Sequence, residues 1–317
     1  MNEHELHIVT GALGYSGKRI ARRLLDAGCA VRTLTNSPNR PNPFGDSLEI
    51  EPFHFDDSGK MKESFRGASV FYNTYWVRFN HRDFTHQKAV DNTMRMFDAA
   101  AAAGVRRIVH VSISNPSADS PLEYFQCKAR LERALGDSGI PHTILRPTVL
   151  FGGGEDILIN NIAWSLRWFP VFPIFGDGKY KIQPIHVDDL ADLAVHAGLN
   201  DESTDSSVIE AIGPETFEFR DLVKTISKII GKKRLLIGAP PRLVYIGNTI
   251  LGILMRDKML TWPEVQGLMQ GKLQTDAPPT GKIKLTDWAR ENADTLGRHY
   301  ASELARRRDR AAAYVDT

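Results

Sequence analysis

The sequence has little cysteine, no long hydrophobic run and no large excess of either charge. Its two cysteines, Cys29 and Cys127, have neither the pattern of a disulfide framework nor the spacing of a metal site. The longest apolar candidate, residues 243–255, is shorter than the ~18 residues that span a bilayer, and two glycines and an asparagine interrupt it. The net charge of +2 gives no general attraction for nucleic acid. We therefore expect no metal site, no membrane span and no nucleic-acid partner.

The first predicted strand begins within the first ten residues, which leaves no room for a signal peptide. Of the 317 residues, 42% are hydrophobic and 25% are charged, and this composition is typical of one large or two medium globular domains. From these features we expect a soluble cytoplasmic protein. A monomer and a homodimer are both compatible with the sequence.

Residues 7–17, HIVTGALGYSG, combine a β-branched run, a series of glycines and the start of an amphipathic helix. Gly11 suits a tight turn after the strand, Gly14 lets a pyrophosphate approach the backbone, and Gly17 lets the helix pack close to the sheet. The N–H groups and the positive dipole end of the helix then attract the anion. The alternative is that the glycines form an ordinary loop. We predict a dinucleotide site formed by Gly11, Leu13, Gly14, Tyr15, Ser16 and Gly17.

Strand patterns alternate with helical patterns through the first half of the chain, without hairpin turns between them. This alternation indicates right-handed crossovers and a parallel sheet, with ligands outside the carboxyl ends of the strands. We predict an α/β fold with a Rossmann-type doubly wound parallel sheet and a smaller C-terminal substrate lobe. The expected dinucleotide-binding domain covers residues 1–150, with later strands returning from residues 183–212. Residues 151–317 are expected to form mainly the substrate lobe and C-terminal helices, with a loop or hairpin at residues 170–181.

The segment after the predicted second strand lacks the acidic residue that an NAD-selective site places against the ribose hydroxyls. It carries Thr35, Asn36 and Ser37, with Arg40 nearby, and these side chains suit a 2′-phosphate better. We therefore predict cofactor contacts from these residues and a preference for NADP over NAD. The alternative is that residues 38–43 form a rigid surface turn and that Arg40 points to solvent.

Asp56 and Asp57 follow the predicted third strand. Their carboxylates can accept from the adenine amino group of a dinucleotide, or they can cap the helix that follows. Both roles are open at this point, and we predict the adenine contact for both residues.

A serine, a tyrosine and a lysine follow the predicted fifth strand with the spacing of a proton-transfer site. Tyr124 and Lys128 are at i and i+4, so they share one face of a helix. A lysine ammonium beside a phenol stabilises the phenolate, which lets the tyrosine exchange a proton near neutral pH. Ser112 and Ser114 alternate along the strand, and Ser114 lies nearer the carboxyl end, where it can hold a carbonyl oxygen. We predict Ser114, Tyr124 and Lys128 as catalytic residues and both Ser112 and Lys128 as cofactor contacts.

These motifs resemble the short-chain dehydrogenase/reductase superfamily. The likeness rests on the Ser/Tyr/Lys set and on three segments, residues 10–17 (TGALGYSG), 146–152 (RPTVLFG) and 183–191 (QPIHVDDLA). The two later segments are similar to extended and atypical members, among them NAD-dependent epimerase/dehydratase proteins and the dehydrogenase-like accessory subunit of respiratory complex I. The resemblance covers nearly the whole chain.

The resemblance implies that the glycine segment holds the pyrophosphate of NAD(P). It implies that the Ser/Tyr/Lys set, where family members keep it, transfers a proton at a carbonyl or hydroxyl carbon. It also implies that Asn92, within a long helix, supports the site. The cofactor, chiefly its nicotinamide half, would further contact Asn73, Thr74, Tyr75, Pro147, Thr148 and Val149.

Trp76 and Arg78, after the predicted fourth strand, are candidates for substrate contact, as is Asn115. Trp76 can supply an apolar wall, and Arg78 can hold an anionic group. For Trp76 the alternative is ordinary packing beneath the loop. The second half of the chain contains no specific recognition motif, so the identity of the substrate stays open.

Two classes of function follow from these residues. One is an NAD(P)-dependent oxidoreductase, or a related epimerase or dehydratase, that acts on a small-molecule substrate. The other is a non-catalytic NAD(P)H-binding protein with a structural, redox-sensing or regulatory role. The tail carries Arg306, Arg307, Arg308 and Arg310, which is typical of a solvated helix face, and contact with an acidic membrane surface or a partner is the alternative.

Overall fold

The computed structural model describes residues 5–82, 84–154, 156–200, 205–309 and 311. Arg310 of the arginine-rich tail therefore lies outside the described residues. The chain divides into two compact units. The first comprises Met1–Pro147 and Leu190–Glu210, and the second comprises Thr148–Asp189 and Ala211–Thr317.

Strands and helices alternate along the described chain. The strands are β1 (Leu6–Thr10), β2 (Ala30–Thr35), β3 (Leu48–Pro52), β4 (Ala68–Asn73), β5 (Arg107–Val111), β6 (His142–Pro147), β7 (Leu150–Phe151), β8 (Val171–Phe175), β9 (Lys181–Ile182), β10 (Ile185–His186), β11 (Ser207–Ala211), β12 (Phe217–Glu218) and β13 (Leu235–Ala239). The helices are α1 (Tyr15–Asp26), α2 (Ser58–Ser64), α3 (His86–Ala102), α4 (Glu123–Asp137), α5 (Leu158–Trp168), α6 (Val187–Leu199), α7 (Phe219–Ile229), α8 (Pro241–Leu254), α9 (Trp262–Met269), α10 (Leu285–Glu291) and α11 (Glu303–Arg308), with a 3-10 turn at Gly45–Ser47. Within the described ranges, no helix is long and apolar enough to cross a bilayer.

The sheet of the first unit contains β1 to β6 and β11. Its strand order is β11-β6-β5-β4-β1-β2-β3, and every neighbouring pair from β3 to β6 is parallel. The strand order turns back between β1 and β4, which is the switch point of a doubly wound fold. The predicted Rossmann-type α/β fold with a parallel sheet is confirmed.

Helices cover the sheet because its central strands are apolar on both faces. Strand β4 is buried along its whole length. Ile8, Phe71 and Ile108 of three adjacent strands have no exposed surface, and they share one core cluster with Met96 of α3 and Leu131 of α4. Burying each such side chain contributes about 1.5–3 kcal/mol. This packing fixes the sheet whose carboxyl edge carries the predicted site.

The second unit has a core of its own. Phe151, Ile174 and Leu222 are fully buried in one cluster that joins β7, β8 and α7. Strands β8 and β13 pair in parallel from Val171↔Leu235 to Phe175↔Ala239. The prediction of a loop or hairpin over residues 170–181 is therefore wrong for β8. This strand pairs with β13, which lies far along the chain, and not with a neighbouring segment.

Candidate cofactor-binding and catalytic site

The turn between β1 and α1 is built on three glycines. Gly11 has φ +67°, a backbone conformation that favours glycine. The Gly14 N–H donates to the Gly11 carbonyl oxygen at 2.8 Å, and the Lys18 N–H donates to the Gly14 carbonyl at 3.0 Å as helix α1 begins. A Cβ atom on Gly17 would overlap the Gly11 carbonyl oxygen. Glycine is therefore what lets α1 lie against the end of β1.

Threonine hydroxyls from neighbouring strand ends hold this turn in place. The Thr33 hydroxyl donates to the Val9 carbonyl at 2.8 Å and accepts from the Ala12 N–H at 3.0 Å. The Thr74 hydroxyl donates to the Thr10 carbonyl at 2.6 Å. Our sequence reasoning missed Thr33. The sequence indicates its role only by placing a polar residue within an apolar strand.

The start of α1 fits the pyrophosphate of a dinucleotide. Its first turn contains no acidic residue, and the leading N–H groups of a helix have no partner within it. The extended backbone of Gly14 carries no side chain, so the space above the turn is not filled. These N–H groups and the helix dipole stabilise an anion at this point. Of the other predicted contacts, Leu13 is buried, whereas Tyr15 and Ser16 are half-buried.

Asn73 joins the ends of adjacent strands. Its side-chain oxygen accepts from the Tyr75 N–H at 3.0 Å and from the Thr10 hydroxyl at 3.3 Å. Its amide nitrogen lies 3.0 Å from Nδ1 of His110, a ring whose pKa burial holds well below its usual value. Asn73 has no exposed surface. The amide therefore positions the strand ends, and the predicted cofactor contact of Asn73 stays a prediction.

Tyr75 belongs to an aromatic cluster after β3 and β4. Its ring lies 5.3 Å from that of Phe53 and 5.5 Å from that of Phe55, measured between centroids. The Asn92 amide donates to the Tyr75 hydroxyl at 2.9 Å. The family resemblance implies that Asn92 supports the site and that Tyr75 lies beside the cofactor. The structure thus places these two residues in contact.

The segment after β2 contains no carboxylate at the position where NAD-selective sites use one. The Thr35 hydroxyl accepts from the Ser37 N–H at 3.0 Å, and the Arg40 N–H donates to the Ser37 carbonyl at 3.2 Å. Asn36 is exposed, and Arg40 is half-buried. These bonds form a compact turn with a basic side chain at its end.

Asp57 is the N-cap of α2, which is the role that the sequence left open beside the adenine contact. Its carboxylate accepts from the Lys60 N–H at 3.0 Å, and this bond holds the pKa of Asp57 below its ordinary value. The helix-cap role is therefore shown for Asp57, and the adenine contact stays a prediction. The Asp56 side chain is fully exposed, 3.9 Å from the Arg95 guanidinium.

Trp76 contacts both residues of the predicted tyrosine–lysine pair. The Lys128 ammonium lies 4.2 Å from the centroid of the Trp76 ring. The Tyr124 ring meets the Trp76 ring edge to face at a centroid distance of 5.6 Å. Trp76 also stacks on His86, with the ring planes within 4° of each other. The helical spacing of Tyr124 and Lys128 therefore brings them to one aromatic ring.

Lys128 is almost completely buried, with 1% of its surface exposed. Its ammonium donates to the Val111 carbonyl at 2.8 Å. Burial lowers the pKa of Lys128 to about 7, although the Glu132 carboxylate acts in the opposite direction. A lysine with this pKa exchanges a proton near neutral pH.

Ser112 lies in a polar network rather than on an open surface. Its hydroxyl donates to Glu132 at 2.5 Å, and the Arg146 guanidinium donates to the same carboxylate at 2.6 Å. Arg146 also donates to Glu210 at 3.2 Å, and these bonds raise the pKa of Arg146. Our sequence reasoning missed Glu132, although its position at i+4 from Lys128 was a signal. The Ser112 side chain therefore orients Glu132, and the predicted cofactor contact of Ser112 stays a prediction.

The remaining first-unit candidates surround the ends of β4 to β6. Ser114 has no exposed surface, and its N–H donates to the Pro147 carbonyl at 2.8 Å. Asn115 has φ +52°, a left-handed conformation that asparagine tolerates better than most residues. The Arg78 guanidinium lies 5.2 Å from the centroid of the Phe79 ring.

Thr148 and Val149 belong to the second unit. The Thr148 hydroxyl donates to the Gln183 carbonyl, and the Val149 carbonyl accepts from the Ile185 N–H at 2.9 Å. Both residues therefore hold together two segments that resemble the extended superfamily members. Among the described residues, no group of three or more His, Cys, Asp and Glu side chains is arranged to hold a metal ion.

Comparison with known sequences identifies the segment that carries the glycine turn. Residues 11–158 match the sequence profile of the NAD(P)H-binding family. This segment, slightly under half of the chain, is similar to that family. The predicted resemblance to extended and atypical short-chain dehydrogenases/reductases is confirmed.

The chain is also similar to a respiratory-chain subunit and to two reductases. The mitochondrial NADH-ubiquinone oxidoreductase 40 kDa subunit of Neurospora crassa is 29% identical over 262 residues, which are 80% of this chain and 67% of the subunit. A (4-alkanoyl-5-oxo-2,5-dihydrofuran-3-yl)methyl phosphate reductase of Streptomyces griseus is 28% identical over 231 residues, 71% of this chain and 74% of the reductase. The Citrobacter sp. triphenylmethane reductase, complexed with NADP(H), has the same fold, with a TM-score of 0.74, 16% identity and coverage of 91% of this chain and 99% of the reductase.

Gly14→Val should block dinucleotide binding in a folded protein. The extended backbone of Gly14 accepts any residue, and a Cβ there would lie 3.1 Å from the Gly11 carbonyl oxygen. The branched side chain would, however, occupy the space that the pyrophosphate needs. We expect NADPH and NADH affinities, measured by fluorescence titration, to fall by about tenfold or more.

Gly17→Ala tests the packing of the same turn rather than the space above it. Its Cβ would overlap backbone atoms of the turn, so it should lower the free energy of unfolding by about 1–3 kcal/mol. Unchanged dinucleotide affinity in a folded Gly14→Val protein would contradict the assignment of the site.

Lys128→Met should change how stability depends on pH. Because the folded-state pKa of Lys128 is lowered to about 7, the unfolded chain binds more protons between about pH 7 and pH 10, and this residue makes stability rise with pH there. The stability difference between the native protein and Lys128→Met should shift in favour of the native protein, by up to about 1.4 kcal/mol per pH unit. Urea unfolding across this range measures it. Lys88→Met, at an exposed lysine, is the matched control. A flat difference for Lys128→Met would refute the burial argument.

Proposed function

We propose that the protein is an NAD(P)-dependent oxidoreductase of the short-chain dehydrogenase type. It transfers hydride at a carbonyl or hydroxyl carbon of a small-molecule substrate, with epimerase- or dehydratase-like chemistry as a variant of the same step. The observation that carries this proposal is the contact of Tyr124 and Lys128 with one Trp76 ring. The match of residues 11–158 to the NAD(P)H-binding family supports it.

In the proposed reaction, the bound nicotinamide supplies the hydride to the substrate carbon. Tyr124 gives its hydroxyl proton to the carbonyl oxygen as the carbon–oxygen double bond becomes an alcohol. The Lys128 ammonium stabilises the phenolate that remains. Ser114 donates to the same substrate oxygen and holds it near Tyr124.

Trp76 has a positioning role in this proposal. Its ring face stabilises the ammonium form of Lys128, and the Val111 carbonyl does the same from within hydrogen-bond distance. Because Lys128 has almost no exposed surface, a ribose hydroxyl would reach its ammonium only after residues packed on it move, and Trp76 is one of these residues. Cofactor binding would therefore reorganise the contact between Trp76, Tyr124 and Lys128.

The proposed cofactor is NADP(H). The turn after β2 offers Thr35, Asn36 and Ser37 in place of a carboxylate, with Arg40 at its end. A guanidinium pairs well with a phosphate, whereas an acidic residue would repel it. The Citrobacter sp. reductase that shares the fold was solved with NADP(H).

A specific observation also favours the second class, a non-catalytic NAD(P)H-binding protein. Ser114 and Lys128, two of the three catalytic candidates, are buried, and catalysis needs them to meet the substrate and the ribose. A relative of 29% identity is a subunit of NADH-ubiquinone oxidoreductase. In this class the cofactor would be held for a structural, redox-sensing or regulatory purpose, and Tyr124 would pack against Trp76 without transferring a proton.

Tyr124→Phe separates the two classes. If Tyr124 transfers the proton, turnover on a panel of carbonyl and alcohol substrates should fall by about 10²-fold or more, while NADPH affinity changes little. The phenylalanine keeps the ring contacts with Trp76, so folding is preserved. Tyr245→Phe, the same change in the second unit, should leave turnover unchanged. Full turnover in folded Tyr124→Phe would overturn the proposed role.

Arg40→Ala tests the cofactor preference. One arginine contact to a 2′-phosphate is worth roughly 1.5–3 kcal/mol, so NADPH affinity should fall by about one to two orders of magnitude and NADH affinity should hardly change. Arg66→Ala, at an exposed arginine paired with Glu63, is the matched control and should alter neither affinity. Equal affinities for both cofactors in the native protein would count against the preference.

A further inference from the structure

Helix α8 of the second unit exposes a row of large apolar side chains. Leu243, Ile246, Ile250, Ile253 and Leu254 are 54–74% exposed. Their spacing of three, four, three and one residues places them on one face of the helix. Single exposed apolar residues are ordinary, but a continuous apolar face on one helix marks a surface that contacts something.

The opposite face of α8 attaches the helix to the second unit. Val244 and Gly252 are its buried residues, and Val244 shares a core cluster with Phe175 of β8 and Val265 of α9. A Cβ on Gly252 would lie 2.8 Å from the Asp257 carbonyl oxygen, so the helix end packs closely there. The helix is therefore held by its inner face, and its apolar outer face is left to contact solvent.

The chain around this face is strongly basic. Residues 232–258 contain the single acidic residue Asp257. That carboxylate is buried and accepts from the Tyr300 hydroxyl at 2.8 Å and from the Leu304 N–H at 3.0 Å. The same residues contain six basic side chains, Lys232, Lys233, Arg234, Arg242, Arg256 and Lys258.

The contacts of Asp257 also fix where the arginine-rich tail begins. Leu304 lies in α11, so this helix starts beside the end of α8. Arg307 pairs with Glu303 within α11 at 2.9 Å, while Arg308 is exposed. Arg256 and Lys258 are exposed at the end of α8. Two exposed cations thus follow the carboxyl end of α8, and a third lies on the helix that starts beside it.

Strands β8 and β13 add further exposed apolar surface in the same unit. Val171 and Leu235 are partners in the register of these strands and are 38% and 61% exposed. Ile237, two residues along β13, is 44% exposed, so it shares a strand face with Leu235.

We propose that α8 docks in the headgroup region of an anionic lipid bilayer, with its apolar face in the acyl boundary and its basic neighbours on lipid phosphates. A 14-residue helix is too short to span a bilayer but suits an interfacial position. Charge complementarity favours a membrane over a second copy, because a two-fold contact through this face would bring the cations at its ends together. The proposal does not depend on cofactor binding or turnover.

The test is flotation of the full chain with vesicles. The chain should bind vesicles of phosphatidylcholine with phosphatidylglycerol and should bind phosphatidylcholine alone much more weakly. Added salt should weaken the binding, since screening acts on the basic contacts. No binding to the anionic vesicles, or equal binding to both, would overturn the proposal.

Two pairs of variants locate the surface. Ile246→Glu with Ile250→Glu should lower vesicle binding by about tenfold or more, because the charges face the acyl boundary. Val208→Glu, at a half-exposed site of the first unit, is the matched control and should bind as the native chain does.

Arg242→Gln with Lys258→Gln should lower binding by roughly fivefold for each charge removed. Neutralising the exposed Lys224 and Lys228 of α7 should have a smaller effect.

Sedimentation of the same proteins tests the alternative, in which a second copy of this chain covers the apolar face of α8. If the native chain dimerises, fails to bind anionic vesicles and becomes monomeric in the Ile246→Glu, Ile250→Glu protein, then the face is a contact between copies and the proposal is wrong. Circular dichroism shows that each variant is folded, since all of the changed side chains are exposed. Vesicle binding that survives both the glutamate and the glutamine substitutions would also refute the membrane proposal.

Discussion

The candidate site depends on the close contact between the start of α1 and the carboxyl end of β1. Backbone atoms make this contact, because Gly17 has no side chain to separate the helix from the Gly11 carbonyl. The distance from the helix start to the sheet is therefore set by the polypeptide itself. Thr33 and Thr74 then fix the turn with hydroxyl bonds to neighbouring strands. An anion site of this kind needs no charged side chain to form.

Much of the fold was readable from the sequence because its determinants are local. The β-branched run before Gly11, the helical pattern after Gly14 and the alternation beyond them each involve neighbours within a few turns. Strand β8 was not readable, since Val171–Phe175 contains a proline at its centre, which opposes a strand assignment, and its partner β13 lies far along the chain. Pairing over such a separation leaves no periodic signal near either strand.

The site was readable to the extent that spacing fixes geometry. The i and i+4 positions of Tyr124 and Lys128 brought both to the Trp76 ring. The burial of Lys128, which lowers its pKa, depends on what packs above it and could not be read from α4 alone. Asp57 and Asn73 show the same limit, because each side chain found a partner in the backbone or in the next strand. Polar residues near a strand end serve structure and ligand alike, and spacing does not separate the two.

The network of Arg146 has a consequence for how the chain folds. Arg146 of β6 binds Glu132 of α4 and Glu210 of β11, and β11 reaches the sheet only after a long excursion of the chain into the second unit. Until β11 is synthesised, β6 is an open edge that another chain could pair with. At ribosomal speeds of about 5–20 residues per second, that edge stays open for several seconds. The sheet of the first unit is thus completed only after the segment Thr148–Asp189 of the second unit has been made.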